Sequence, residues 1–166
     1  GNMKPKNILI IQDNSMNDET LAKYDYLRSL GAELDVVEDA VGISEEEFMS
    51  RFLTFETKGP DALPLNERMV AKMAEADIVI THTSPIPPGG IEPSKDLECV
   101  CVWGSGVENV NVAAAIKKGV KVMDVPGRLA VVVAEFTVGL ILAETRNIAR
   151  SHKAITEGAW GNKFPN

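Results

Sequence analysis

Three short runs of consecutive apolar, mostly β-branched residues constrain this chain more than anything else in it. They are Asn7-Ile8-Leu9-Ile10-Ile11, Asp77-Ile78-Val79-Ile80-Thr81 and Cys99-Val100-Cys101-Val102-Trp103. Each is too short for a helix and lacks the polar alternation of a strand with one wet face. Each therefore reads as a strand buried on both faces, the kind found inside a parallel sheet.

The stretches between these runs read as helices and further strands. Over residues 19–30, Leu21, Tyr24, Leu27 and Leu30 recur at helical spacing, and Gly31 supplies a stop. Residues 33–37 form a second strand. Ser44-Glu45-Glu46-Glu47 has the form of a capping box, so a helix is expected from there to about Glu56, ended by Lys58-Gly59-Pro60. Asn66 caps another helix, with Met69, Val70 and Met73 inward. Pro85, Pro87, Pro88, Gly89 and Gly90 predict an irregular, stiff loop. Asn111 caps a helix over 112–118 that Gly119 closes, and residues 120–125 make a fifth strand before Pro126-Gly127. A single long helix is expected over about 130–155, apolar enough to need cover on more than one side.

Strands alternating with helices define an α/β fold. The chain is expected to form a flavodoxin-like, doubly wound parallel five-stranded sheet of order 2-1-3-4-5, with a long C-terminal helix. The expected division is a domain over 3–126, followed by 127–166. Gly1 and Asn2, ahead of Met3, are set aside as a cloning remnant.

Composition narrows the function. With 17 basic and 24 acidic residues the net charge is −7, which argues against a nucleic-acid surface. The short basic cluster Lys117, Lys118 and Lys121 reads as a solvated helix end. No apolar run is long enough for a membrane span. Cys99 and Cys101 lie two apart on one strand face, which suits buried thiols in a cytoplasmic protein and neither a disulfide nor a metal site.

In open parallel sheets, ligands bind outside the carboxyl ends of the strands. That rule selects the loops at 13–15, 81–84 and 104–106. In the last, Gly104 and Gly106 flank Ser105, so the backbone can approach a ligand, and successive N–H groups can hold a small anion. His82, Thr83 and Ser84 offer hydrogen-bonding side chains, with turn stabilisation as the rival role. Trp103 either walls the pocket or belongs to the core. Asp13 stands where a phosphoacceptor receiver carries an acidic metal ligand, but Thr81 occupies the place of that fold's phosphorylated aspartate.

Val102-Trp103-Gly104-Ser105-Gly106-Val107-Glu108-Asn109-Val110-Asn111 resembles the G-x-G-[VFI]-D-N-[VI]-D signature of the D-isomer specific 2-hydroxyacid dehydrogenases. Lys118-Gly119-Val120-Lys121-Val122, Val125-Pro126, the V-A-E helix at Val133-Ala134-Glu135 and Glu157-Gly158-Ala159-Trp160 follow at the family's intervals. The resemblance is strong over 76–160 and extends to 7–75 only in element order.

The resemblance implies hydride transfer between NAD, or NADP, and a small 2-hydroxy or 2-oxo acid. It implies substrate contacts at Thr81, His82, Thr83, Gly104, Ser105 and Gly106, with Ser105 also near the cofactor. It implies a homodimer through the long helix, and a dinucleotide domain with the catalytic Arg, Glu and His beyond Asn166, so that this portion alone is inactive. Neither His82 nor His152 holds the acid–base position, and Glu135 reads as an interdomain structural contact. Glu108 and Asn111 replace two family aspartates. Thr81-His82 stand where Arg-Ser is common, and Leu129 where an Asn is common. The alternative is a non-catalytic flavodoxin-like module that binds a small anion or a protein.

Overall fold

The computed structural model describes residues 4–164, so Gly1 and Asn2 lie outside it. The chain divides into two compact units, Gly1–Pro126 and Gly127–Asn166.

The first unit runs β1 (Asn7–Gln12), α1 (Asp18–Lys23), α2 (Asp25–Ser29), β2 (Glu33–Glu38), α3 (Glu45–Lys58), a 3₁₀ turn (Pro60–Ala62), α4 (Glu67–Met73), β3 (Ile78–Thr81), α5 (Pro88–Ile91), β4 (Cys99–Val102), α6 (Val112–Lys118) and β5 (Lys121–Met123). The strands form one five-stranded sheet of order β2-β1-β3-β4-β5, parallel throughout. This is the expected α/β architecture. Apolar residues face one another across it: Leu9 pairs with Val79, Val79 with Val100, and Val100 with Val122.

Leu9, Ile10 and Ile11 are at most 2% exposed, so β1 is covered on both faces. On β3 and β4, Val79 and Val100 are buried on one face while Ile78, Ile80 and Cys101 on the other are half-buried, so the expected two-sided cover is complete only at β1. Met69, Met73, Ile86, Ile91 and Ala115 complete the core around them. Cutting Leu9 back to alanine there costs roughly 3 kcal/mol, because the removed atoms leave a cavity that close packing cannot refill.

The caps lie where sequence placed them. Ser44 Oγ accepts the Glu47 amide at 3.1 Å, Asn66 Oδ1 that of Met69 at 3.0 Å, and Asn111 Oδ1 that of Ala114 at 2.9 Å. Two local expectations change. The helix expected over 19–30 is two short helices joined at Tyr24, whose N–H bonds to the Leu21 carbonyl three residues back, the tighter 3₁₀ pattern. The proline-rich stretch expected to be irregular contains the turn of helix α5. Pro88 provides a first helical residue that needs no N–H partner, and Gly90 lets the helix approach α4, since a β-carbon there would stand 2.9 Å from the Met73 sulfur.

The second unit holds α7 (Ala130–Thr145) and α8 (Ile148–Thr156). The single helix expected over 130–155 breaks at Asn147, which takes a left-handed conformation with φ 54°. Asparagine tolerates that region because its short amide bonds locally, and here its Oδ1 accepts from Arg150 Nη1 at 2.7 Å. No residue of α7 is buried, although it is apolar on every side; Phe136 is 70% exposed. Among the described residues, no helix is long and apolar enough to cross a membrane.

Candidate functional site at the carboxyl ends of the strands

Three loops leave the carboxyl ends of β1, β3 and β4, and side-chain hydrogen bonds tie the first two together. Asp13, at the end of β1, is 1% exposed. Its Oδ1 accepts the Ser15 amide at 2.9 Å and the Ser15 hydroxyl at 2.6 Å. Its Oδ2 accepts the Thr83 amide at 2.9 Å and the Thr83 hydroxyl at 2.6 Å. The His82 Nδ1 lies 2.6 Å from Ser15 Oγ and 3.4 Å from Asp13 Oδ2.

Burial alone would push the Asp13 pKa up. The hydrogen bonds from His82, Ser15 and Thr83 outweigh it and hold the carboxyl well below the usual carboxylate range. The Tyr24 phenol is pushed the other way, first by burial and then by the charges of Asp13 and Cys101.

The loop after β3 is braced from within. Thr81 is buried, and its hydroxyl donates to the Ser84 carbonyl at 2.9 Å. Asn109, also buried, donates through Nδ2 to the carbonyls of His82 at 3.1 Å and Ser84 at 2.9 Å. The Ser84 hydroxyl is buried with no hydrogen-bond partner among the described residues. It lines a small recess with Arg51, Phe48, Phe52 and Phe55. Arg51 donates to Asp39 at 3.1 Å, and Asn66 Nδ2 donates to the same carboxylate at 3.0 Å.

The loop after β4 carries Gly104, Ser105 and Gly106. Its first carbonyl accepts the Val125 amide at 2.8 Å, and Ser105 Oγ donates to the Val125 carbonyl at 3.2 Å. Among the described residues, no hydrogen bond uses the amides of Ser105 and Gly106. Ser105 is exposed, and the others are half-buried. The Glu108 carboxylate leans over the α-carbon of Gly106, where a β-carbon would stand 2.2 Å from one of its oxygens. Glu108 is itself exposed, so this side chain screens the loop and does not plug it.

The loops after β3 and β4 meet. The Trp103 amide donates to the Thr81 carbonyl at 2.7 Å, and the Trp103 ring lies 5.0 Å from the imidazole of His82. Farther along, a parallel bridge joins Ile86 to Val110. The Ile86 amide donates to the Asn109 carbonyl at 2.7 Å, and the Asn111 amide to the Ile86 carbonyl at 2.9 Å.

Of the residues singled out from sequence, His82, Thr83 and the 104–106 loop lie at this end of the sheet, and Thr81 supports them from below. His152 and Glu135 are exposed and lie in the second unit. Cys99 and Cys101 have sulfurs 3.7 Å apart and are both free; burial, then the neighbouring Cys99, pushes the Cys101 thiol up to about 12. Sequence reasoning gave no role to the clamp from Asn109 or to the bond between Ser15 and His82. Asn109 was visible as a motif position, but its burial was not.

Comparison with known proteins gives this arrangement of loops on an α/β sheet a lineage. The profile of the family described as D-isomer specific 2-hydroxyacid dehydrogenase, catalytic domain, matches residues 36–162. The chain is 32% identical over 127 residues to D-3-phosphoglycerate dehydrogenase of Methanocaldococcus jannaschii, which covers 76% of this chain and 23% of that protein. It is 34% identical over 98 residues to hydroxypyruvate reductase of Thermotoga maritima, covering 58% of this chain and 32% of that protein. Among solved structures, the NAD+-bound 3-phosphoglycerate dehydrogenase of Entamoeba histolytica superposes with TM-score 0.60 at 18% identity, over 84% of this chain and 39% of that one. The 2-hydroxyacid dehydrogenase of Ketogulonicigenium vulgare gives 0.61 at 20% identity, over 98% and 43%. These structural likenesses speak for the fold. The chain belongs to the D-isomer specific 2-hydroxyacid dehydrogenase family. It spans about a quarter to a third of the length of these curated relatives.

Proposed function

We propose that this chain is the substrate-side portion of an NAD(P)-dependent D-2-hydroxyacid dehydrogenase. The observation that carries the reading is the pair of amides at Ser105 and Gly106, unused by any hydrogen bond among the described residues, on a loop at the carboxyl end of β4. Two adjacent N–H groups of this kind suit the carboxylate of a small acid.

In this reading Gly104, Ser105 and Gly106 hold the carboxylate, and His82 and Thr83 shape the neighbouring wall. Thr81 contributes through the turn it braces. The dinucleotide is held mainly by a separate domain, and this chain offers it an edge at Ser105, whose exposed position fits such a contact. When bound, the cofactor exchanges a hydride with the carbon bearing the 2-hydroxyl or 2-oxo group. The residues here bind and orient the acid; none acts as acid or base, and the portion alone has no turnover. The relatives' names support a substrate of the phosphoglycerate or glyoxylate/hydroxypyruvate type.

Residues 3–126 are thus the substrate-binding domain, and 127–166 the connection to the dinucleotide domain and the dimer contact. The exposed apolar surface of α7 supports a homodimer. The two free cysteines lying side by side support a reducing, cytoplasmic setting. The test is to join the chain to a dinucleotide domain of the family and follow NADH oxidation with a panel of 2-oxo acids. Turnover of at least one is expected, and turnover of none would overturn the reading.

A further inference from the structure

Ser15 Oγ has one proton and two short contacts. It lies 2.6 Å from Asp13 Oδ1 and 2.6 Å from His82 Nδ1. The carboxylate has no proton to give, since its hydrogen bonds hold it ionised far into acid. The hydroxyl proton of Ser15 therefore goes to Asp13. Nδ1 can make its own short contact only by bringing a proton to the oxygen of Ser15. The remaining donors to Asp13 are the Ser15 and Thr83 amides and the Thr83 hydroxyl, so the carboxylate acts only as an acceptor in this cluster. Among the described residues, Asp13 has no Lys or Arg partner; His82 is the one group near it able to carry positive charge.

A ring nitrogen fixed as N–H determines what the other nitrogen is. In the neutral imidazole of His82, Nε2 then carries a lone pair. Among the described residues, no hydrogen bond uses Nε2, and the side chain is 21% exposed. Its ring lies against Trp103, the residue that immediately precedes the Gly104–Gly106 loop.

We infer that Asp13 and Ser15 are positioning residues that lock His82 as its Nδ1–H form, and that His82 Nε2 accepts a hydrogen bond from a hydroxyl on the bound acid. The ligand class is a short 2-hydroxy or 2-oxo acid with a further hydroxyl on its side chain, as distinct from one ending in a methyl group. The inference rests on the proposed anion site at Ser105 and Gly106, and its test separates the two.

The first arm reads the ring of His82 in this chain by long-range nitrogen NMR, followed over a pH series so that the ring's own nitrogen shifts identify the neutral form. His152, exposed in α8, serves as the internal reference. Protonated Nδ1 is expected for His82. Asp13→Asn is expected to shift it toward the Nε2–H form, and Ser15→Ala to do so less far, because Nδ1 then keeps only its 3.4 Å contact with the Asp13 carboxylate. A wild-type ring already in the Nε2–H form overturns the inference. So does a tautomer unmoved in both variants.

The second arm titrates the chain with D-glycerate and with D-lactate, which differ by the side-chain hydroxyl. Both are expected to move the Ser105 and Gly106 amides, and only D-glycerate to move His82 Nε2. His82→Phe is expected to weaken D-glycerate by roughly tenfold, the order of one lost hydrogen bond that left its donor unpaired, and D-lactate by less than about twofold. If both acids move the loop amides and act equally on His82, the inference fails while the anion site stands. If neither moves those amides, the anion site fails and the inference with it.

Discussion

The Glu108 carboxylate overhangs Gly106 so closely that a β-carbon on the glycine would lie 2.2 Å from one carboxylate oxygen. Gly106 does not have the left-handed backbone that only glycine adopts readily, and the obstructing atoms are the mobile end of an exposed side chain. In the proposed anion site the glycine serves approach of the acid and is not required by the backbone fold. Gly106→Ala is expected to change unfolding free energy by less than about 1 kcal/mol in urea titrations. It should weaken binding of a small carboxylate about tenfold, because its methyl group fills the space that a ligand uses. Glu108→Gln, which removes a like charge from an exposed position, should tighten that binding about twofold at low salt and less at high salt.

Asp13 should govern how this fold responds to acid. Its folded pKa lies below that of an ordinary carboxylate, so the unfolded chain binds the proton more readily. The resulting stabilisation is fully present above about pH 4, the unfolded value. It disappears as pH falls below that, through the lower folded value. Asp13→Asn should cost about 2–4 kcal/mol at neutral pH, because it removes the buried charge and turns an NH2 group toward the donors of either Ser15 or Thr83. Denaturant titrations on both proteins should show that gap constant from neutral pH to about pH 4 and narrowing below it. A gap that narrows already between pH 7 and 5 would contradict this assignment.

Ala40 has φ 56°, a left-handed conformation that its β-carbon disfavours, in the turn leaving β2. Ala40→Gly removes a steric cost of roughly 1–2 kcal/mol and adds an entropic one of roughly 0.5–1 kcal/mol. A net gain of about 0.5 kcal/mol is expected, seen as a higher urea midpoint with an unchanged slope.

Helix α7 should hold copies of this chain together. It presents Phe136, Leu140, Ile141 and Leu142 at 50–70% exposure, with no buried residue of its own. Light scattering should report a species larger than a monomer, and Phe136→Glu combined with Leu140→Glu should return a monomer. A monomeric wild-type chain at high concentration would refute this.

The fold was legible because each inner strand carries an unbroken apolar run, a pattern of the parallel sheet that needs no knowledge of partners. The caps at Ser44, Asn66 and Asn111 were legible for a similar reason, since each acts within three residues of itself. The break at Asn147 was missed because the apolar pattern around it does not change; a single left-handed residue interrupts a helix without altering periodicity. The site was legible as three loops but not as a set of contacts. The bond from Thr83 to Asp13 spans 70 positions, and pairing at that distance leaves no trace in spacing.

One small feature sets a limit on how this surface can vary. Because Ile86 and Val110 are stitched by backbone bonds on both sides, the segments following two neighbouring strands share a single rigid seam. A change of register in either segment would have to be matched in the other. At the proposed pocket, side-chain exchange at positions such as His82 and Glu108 alters the surface without disturbing that seam.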